Sequence, residues 1–389
     1  MTGTSLDGLD AALVSIEGRG WNLSARFIAL QTESLGRLRH DLLVLAEGEA
    51  RPPIHYMRVA RRLGTLHADA VFQLCESHLP PHARLDLIAA HGQTIWHAPN
   101  EYGRDTFTAE DDAIAHEPVA AQKHSERDRQ RLGPLSWQLF DPWPLVRRLN
   151  TAVVFDLRGA DLIAGGQGAP ITPLADAILY RDRATLVVNL GGICNITDLS
   201  ASPTGEDLCP CNLLIDRTVQ TLFPSEEFDR DGALAASGTP SADLFGALFN
   251  EDAQPRPGPR SMGREDLADG RIEALIAEAA SQHAPCDVIA SAVDAVSQRV
   301  SACIKRRRPR IAVLAGGGAR NRTLAESIAA RCAECTQVVL SDTLGIPCEA
   351  REAACFAVLG GLAQDGLPVS LPRVTGASKP GRGGVWAFP

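Results

Sequence analysis

The chain has 389 residues, enough for two domains of ordinary size, with 45% apolar and 22% charged residues. Its formal charge of −9 excludes a general electrostatic attraction to nucleic acid or to anionic membrane surfaces. No run approaches the roughly 18–20 apolar residues of a membrane span and no charged-then-apolar leader opens the chain, so the ten cysteines read as mostly reduced thiols of a cytoplasmic protein.

Taken in chain order, the elements alternate between apolar strands and helical patterns. The chain opens on Gly3-Thr4-Ser5-Leu6-Asp7-Gly8, followed by the apolar run Ala11 to Val14. Two glycines around two hydroxyls and a carboxylate suit a turn that offers N–H and O–H groups to an anion, with Asp7 placed for a cation. No Gly-Lys-Ser/Thr follows, so it is not a Walker A loop. A helical pattern runs from Tyr56 to Leu79, and a strand from Leu85 to Ala90 leads into His91-Gly-Gln-Thr94. A charged, aperiodic insert spans about 100–134. The strand Thr151 to Phe155 ends at Asp156-Leu-Arg158, and Thr185 to Val188 ends at Asn189-Leu-Gly191-Gly192. A long helix is expected over Arg271 to Arg306. The strand Arg310 to Ala315 then leads into Gly316-Gly317-Gly318, and helices follow at Arg322–Cys332 and Glu349–Gln364. Strands that end in glycine turns, with helices between them, predict an α/β fold with its ligands at the strand ends.

Two bland readings are set beside these. The basic run Lys305 to Arg308 reads as a solvated helix end, because cations favour helix C-termini. Cys209/Cys211 and Cys332/Cys335 do not form the paired knuckles of a zinc site, and Cys332 closes a helix rather than opening one.

The glycine loops are individually weak signals, but their order is specific. Gly3–Gly8, His91-Gly-Gln-Thr-Ile-Trp-His97, Asp156-Leu-Arg158 and Gly165-Gly-Gln167-Gly-Ala-Pro170 come first. Asn189-Leu-Gly-Gly-Ile-Cys-Asn195, Phe228-Asp-Arg-Asp-Gly232, Ser261-Met-Gly-Arg-Glu265 and Gly316-Gly-Gly-Ala-Arg-Asn321 follow. Gly345-Ile-Pro347, Glu352-Ala-Ala-Cys-Phe-Ala357 and Val374-Thr-Gly-Ala377 complete the series. Together they resemble the anhydro-N-acetylmuramic acid kinase family over nearly the whole chain outside the insert.

That resemblance implies a two-domain sugar kinase–Hsp70–actin-like (RNase H-like) α/β fold with ATP in an interdomain cleft. It divides the chain into a domain of residues 1–158 plus 366–389 and a second of 159–365. It also implies ATP and Mg²⁺ as cofactors, a cytoplasmic location and a homodimer, with no nucleic-acid or membrane partner. The family opens the 1,6-anhydro bridge of anhydro-N-acetylmuramic acid with water and phosphorylates O6, giving N-acetylmuramate 6-phosphate and ADP in cell-wall sugar recycling. A similar fungal branch phosphorylates levoglucosan, and the long insert resembles fungal members.

Residue by residue, the resemblance sets Asp207 in Gly205-Glu-Asp-Leu-Cys-Pro-Cys-Asn212 at the position of the general base that activates water. Gly3, Thr4, Ser5, Asp7, Gly8, Asn189, Gly191 and Gly192 fall on the phosphate turns, with Asp7 toward Mg²⁺, and Gly316, Gly317 and Gly318 border the nucleoside. His91, Arg158, Asp161, Gln167 and Glu352 face the sugar, Arg158 being suited to a carboxylate.

The chain departs from the pattern at four places. Family members carry a short strand ahead of the Gly3–Gly8 loop, which here starts at Met1. Cys209 and Cys211 replace glycines, Glu206 replaces an aromatic residue, and Phe140 stands where a glycine precedes Asp141. If the two replaced glycines had φ > 0, each cysteine would cost about 1–2 kcal/mol. The other function classes weighed are a non-catalytic nucleotide- or sugar-binding relative and an ordinary hexose kinase.

Overall fold

The computed structural model describes residues 1–3, 6, 8–98, 133–241, 244–245 and 271–389. Thr4, Ser5, Asp7, nearly all of the insert and the Ser261–Glu265 motif lie outside the described residues.

Strands β1 (Leu9–Glu17) and β2 (Ser24–Glu33) form an antiparallel ladder. Helices α1 (Leu38–Ala46) and α2 (Pro53–His78) follow, the latter starting on a proline, which fits the first helical turn because its missing N–H would be unpaired there anyway. Next come β3 (Ile88–Ala89), β4 (Gln93–Ala98), β5 (Leu135–Leu139), α3 (Trp143–Leu149), β6 (Val153–Phe155), α4 (Gly159–Leu162) and α5 (Thr172–Leu179). The second half holds β7 (Leu186–Leu190), β8 (Ile193–Asp198), β9 (Thr204–Pro210), α6 (Asn212–Leu222), α7 (Ala233–Ala236), α8 (Arg271–Gln282), α9 (Pro285–Arg307), β10 (Ile311–Ala315), α10 (Arg322–Cys332) and β11 (Gln337–Leu340). It closes with α11 (Arg351–Gln364), α12 (Pro372–Thr375) and β12 (Val385–Ala387).

The α/β class expected from the sequence is observed. A five-stranded sheet has the order β11-β10-β7-β8-β9. The meander β7–β8–β9 is antiparallel, whereas β10 and β11 run parallel to β7. Alternate residues of β7 enter two different cores: Leu186, Val188 and Leu190 pack with α9 residues, and Val187 packs with α5 and α11 residues. A strand covered on both faces reads as a continuous apolar run, which is why β7 and β10 were visible in the sequence. A smaller sheet has the order β12-β6-β3, with the C-terminal strand antiparallel to β6.

Two expectations need correction. The helix expected over 271–306 is two helices, α8 and α9, because Pro285 opens the second and disfavours helical backbone at Ala284, which is extended at φ −66 and ψ 146. The strain attached to Cys209 and Cys211 is absent: neither has a positive φ, and Cys211 sits at φ −128 ahead of α6. Both side chains enter the apolar core, 2% and 0% exposed, beside Cys194. Phe140 is also absorbed by packing, with its ring 5.1 Å from His67 and 5.6 Å from Phe155.

His67 on α2 is buried, and Nδ1 meets the Leu63 carbonyl at 2.8 Å. Burial pulls its pKa down to about 3. The unfolded chain therefore binds the extra proton below pH 6.5, and the stability present above that pH drains away as the pH falls toward 3. Through this residue the protein should be about 2 kcal/mol less stable at pH 5 than at pH 7. Melting curves between these pH values should show the fall, and His67→Leu should reduce its slope; an unaltered slope would contradict this account.

Candidate active site

Arg158 follows β6, with Asp156 in a left-handed turn at φ 48. It is half-buried, and two groups accept hydrogen bonds from it. Nε donates to His91 Nε2 at 3.0 Å, and Nη1 donates to the Gly168 carbonyl at 2.7 Å. Burial lowers its pKa, and the carboxylates of Glu352, Asp156, Asp161 and Asp207, in falling order, push it back up. Two of these acids, Asp156 and Asp161, flank Arg158 in sequence, and the other two act on it from distant parts of the chain.

His91 closes β3 and packs on Phe356 at 4.9 Å between ring centroids. Accepting from Arg158 fixes Nε2 as the unprotonated nitrogen. Burial, then the Arg158 charge, holds its pKa well below 6.5, so the ring is neutral. Nδ1 is buried without a hydrogen-bond partner. His97 instead serves the β4–β5 hairpin, with Nδ1 3.0 Å from Ser136 Oγ.

Asp161 is 0% exposed, and its two oxygens are committed inside the protein. Oδ1 accepts from Ser370 Oγ at 2.6 Å and Thr375 Oγ1 at 2.7 Å, and Oδ2 accepts from the Gly168 N–H at 2.9 Å. Expected at the sugar, it holds the Gly165–Gly168 loop against the 370–375 segment. Gln167 lies in that loop, its N–H donating to the Thr375 carbonyl at 2.8 Å. A Cβ on Gly166 would come 2.2 Å from Asp161 Oδ2, so only glycine fits there.

The same loop borders β9. A Cβ on Gly205 would stand 2.6 Å from Pro173 and 3.3 Å from Pro170. Asp207, two residues on, is opposite Asn195 on β8. The register then slips, because Cys194 faces Cys209, leaving Leu208 as the extra residue of a bulge. Leu208 and Cys209 both turn into the core while Asp207 stays half-buried. Glu206, in place of an aromatic residue, pairs with Arg307 at 2.5 Å, and Arg307 also reaches Asp198 at 3.5 Å. The basic helix end is therefore not simply solvated: Arg307 ties α9 to the sheet edge beside Asp207.

The glycine turns form a second group. Gly316 has φ +85, and a Cβ there would lie 2.7 Å from Asn189 Oδ1 and 2.8 Å from the Leu190 carbonyl. Gly318 is equally tight against Leu190 and Asn212, whereas Gly317 faces open space. The Gly191–Gly192 carbonyls accept from the Cys211, Asn212 and Leu213 N–H groups at 2.9–3.1 Å, which fixes that turn to the start of α6. Of the first turn, Gly3 accepts from the Leu6 N–H at 3.3 Å, and a Cβ on Gly8 would lie 3.1 Å from the Glu33 carbonyl.

The segment 348–352 joins the two groups. The Cys348 carbonyl accepts from the Gly316 N–H at 2.9 Å, and Glu352 lies within electrostatic reach of both Arg158 and the Met1 ammonium. Burial raises the Glu352 pKa against the pull of Arg351 and Arg158. Asn212 and Arg351 were not singled out as site residues from the sequence. Asn212 sat in the quoted motif, whereas Arg351 carried no local signal.

The family model for anhydro-N-acetylmuramic acid kinase matches residues 1–123 and 121–388. The chain belongs to this family. It is 34% identical to the anhydro-N-acetylmuramic acid kinase of Gloeobacter violaceus, over 97% of this chain and 95% of that one. The corresponding values are 33%, 97% and 92% for the Salinibacter ruber protein, and 33%, 99% and 96% for that of Acidiphilium cryptum. These relatives are bacterial, and they span both groups of residues described above.

Gly316→Ala should cost stability, because it adds a left-handed penalty of about 1–2 kcal/mol to two sub-3 Å contacts. Thermal melts would register the loss. A variant that melts like the parent would show that the turn tolerates a side chain.

Proposed function

We propose that this protein is an ATP-dependent kinase that opens a 1,6-anhydro sugar with water and phosphorylates O6, with anhydro-N-acetylmuramic acid as its substrate. The observation that carries this reading is the set of contacts at Arg158, which bonds His91 and the Gly168 carbonyl, together with the Gly316 turn held to the Cys348 carbonyl just ahead of Glu352. Membership of the kinase family supports the same reading.

In this scheme Asp207 takes a proton from a water molecule. The water oxygen bonds to the anomeric carbon, and the bond from that carbon to O6 breaks. O6 then bonds to the γ-phosphorus of ATP, ADP leaves, and Asp207 returns its proton to solvent. The half-buried carboxylate suits a base that must stay ionised near Arg158. Arg158 and the Gly165–Gly168 loop orient the sugar, and the neutral His91 offers Nδ1 as a donor. The turns at Gly3–Gly8, Asn189–Gly192 and Gly316–Gly318 receive the nucleotide, their backbone N–H groups opposing phosphate charge.

Mg²⁺ would arrive with the nucleotide and offset its charge. No cluster of three metal-ligating side chains occurs among the described residues, and Asp7 lies outside them. Cys209 and Cys211 impose no left-handed strain on the backbone beside Asp207.

Incubation with Mg²⁺-ATP and either anhydro-N-acetylmuramic acid or levoglucosan should yield the 6-phosphate of the muramyl sugar in preference. Free N-acetylmuramic acid should be a poor competitor. ADP release with no sugar phosphate for any of the three would overturn the proposal. Asp207→Asn should lower kcat by a factor of about 10² or more while leaving ATP binding intact. Retention of full turnover would remove Asp207 from the role of base.

A further inference from the structure

Arg351 opens α11, where the helix dipole disfavours a cation. Its side chain is nevertheless 1% exposed, and its partner Asp176 on α5 is 0% exposed. The guanidinium forks onto the carboxylate: Nε donates to Oδ1 at 2.9 Å, and Nη2 donates to Oδ2. Thr197 Oγ1 on β8 donates to Oδ2 at 2.8 Å, and Cys355 Sγ donates to Oδ1 at 3.6 Å. Nη2 also reaches Thr172 Oγ1 at 3.4 Å. One ion pair therefore fastens α11 to α5 and to the five-stranded sheet. Burial opposes the charge on Arg351, and the Asp176 carboxylate outweighs that cost, leaving the guanidinium above its ordinary pKa.

Net stability is a weak reason for such a pair, because apolar residues of similar volume often do as well. A planar fork does supply a fixed distance and direction. The far half of α11 is held by the buried side chains of Val358, Leu359 and Leu362, so the fork acts on the first turn. Gly360 lies against β3, where a Cβ would be 2.6 Å from Ala89, and Gly361 lies against β1, where it would be 3.4 Å from Ile16. These two glycines let the helix approach both strands closely. Glu352 shares the first turn with Arg351, so whatever fixes one fixes the other.

We propose that the Arg351–Asp176 pair fixes the orientation of the first turn of α11 and so sets where Glu352 sits, which makes Arg351 and Asp176 positioning residues of the sugar site. This inference rests on the proposed function, in which Glu352 meets the sugar.

The test is a double-mutant cycle between Arg351→Lys, which keeps the charge and loses the fork, and Glu352→Gln. Each single variant should raise the KM for the anhydro sugar about tenfold or more while the KM for ATP stays near the wild-type value. The combined variant should lose no more than the worse single, because Arg351 acts through Glu352. Where Arg351→Lys does not fold, the apolar replacement Arg351→Met/Asp176→Leu enters the same cycle in its place. Additive losses, a wild-type sugar KM in Arg351→Lys, equal losses toward ATP and sugar, or failure of both replacements to fold would each overturn the inference while leaving the kinase reading standing. Absence of sugar turnover in the wild type would instead overturn the kinase reading, and this inference with it.

Discussion

A guanidinium taken partly out of water needs negative partners on several sides, and Arg158 imposes that requirement on much of the chain. Asp156 is two residues before it, Asp161 is one helical turn on, Asp207 is on the edge strand of the larger sheet, and Glu352 is in the first turn of α11. The Gly168 carbonyl and His91 Nε2 take two of its N–H groups. Each contact is modest, but losing the set would leave a charge without compensation in a half-buried site. The loop after α4, the bulge in β9 and the start of α11 therefore share one geometric requirement.

The neighbouring polar groups divide the labour. Asp161 spends its oxygens on Gly168, Ser370 and Thr375, so it shapes the loop that holds Gln167. His91 is kept neutral by burial and by the adjacent cation, leaving a buried Nδ1 beside the same cluster. Glu352 carries a raised pKa because burial outweighs the pull of the two arginines. The cluster so arranged holds one cation, a neutral imidazole and carboxylates of unequal burial.

Three of the four departures from the family pattern are met by packing or by an ion pair. Cys209 and Cys211 fill core space beside Cys194, and Phe140 joins an aromatic cluster with His67 and Phe155. Glu206 gains a salt bridge to Arg307 that an aromatic residue could not make. The backbone around Asp207 accommodates all three near the sheet edge without a positive φ.

The sequence by itself determined the buried strands β7 and β10, the helix at Arg322–Cys332 and the order of the glycine turns. Continuous apolar runs ending in glycine leave the chain few local alternatives. It also carried the family, through motifs spread along nearly its whole length. The half-exposed strands β2, β4, β5 and β9 were not legible as strands, because only cross-strand partners define them. The break before α9 was written in Pro285 and was obscured by helical periodicity on both sides. Only the tertiary structure decided that Asp161 faces inward, that β9 bulges beside Asp207, and that Arg351 pairs with Asp176 across 175 residues of chain. Those outcomes depend on long-range neighbours, and a side chain's partners are not encoded in its local spacing.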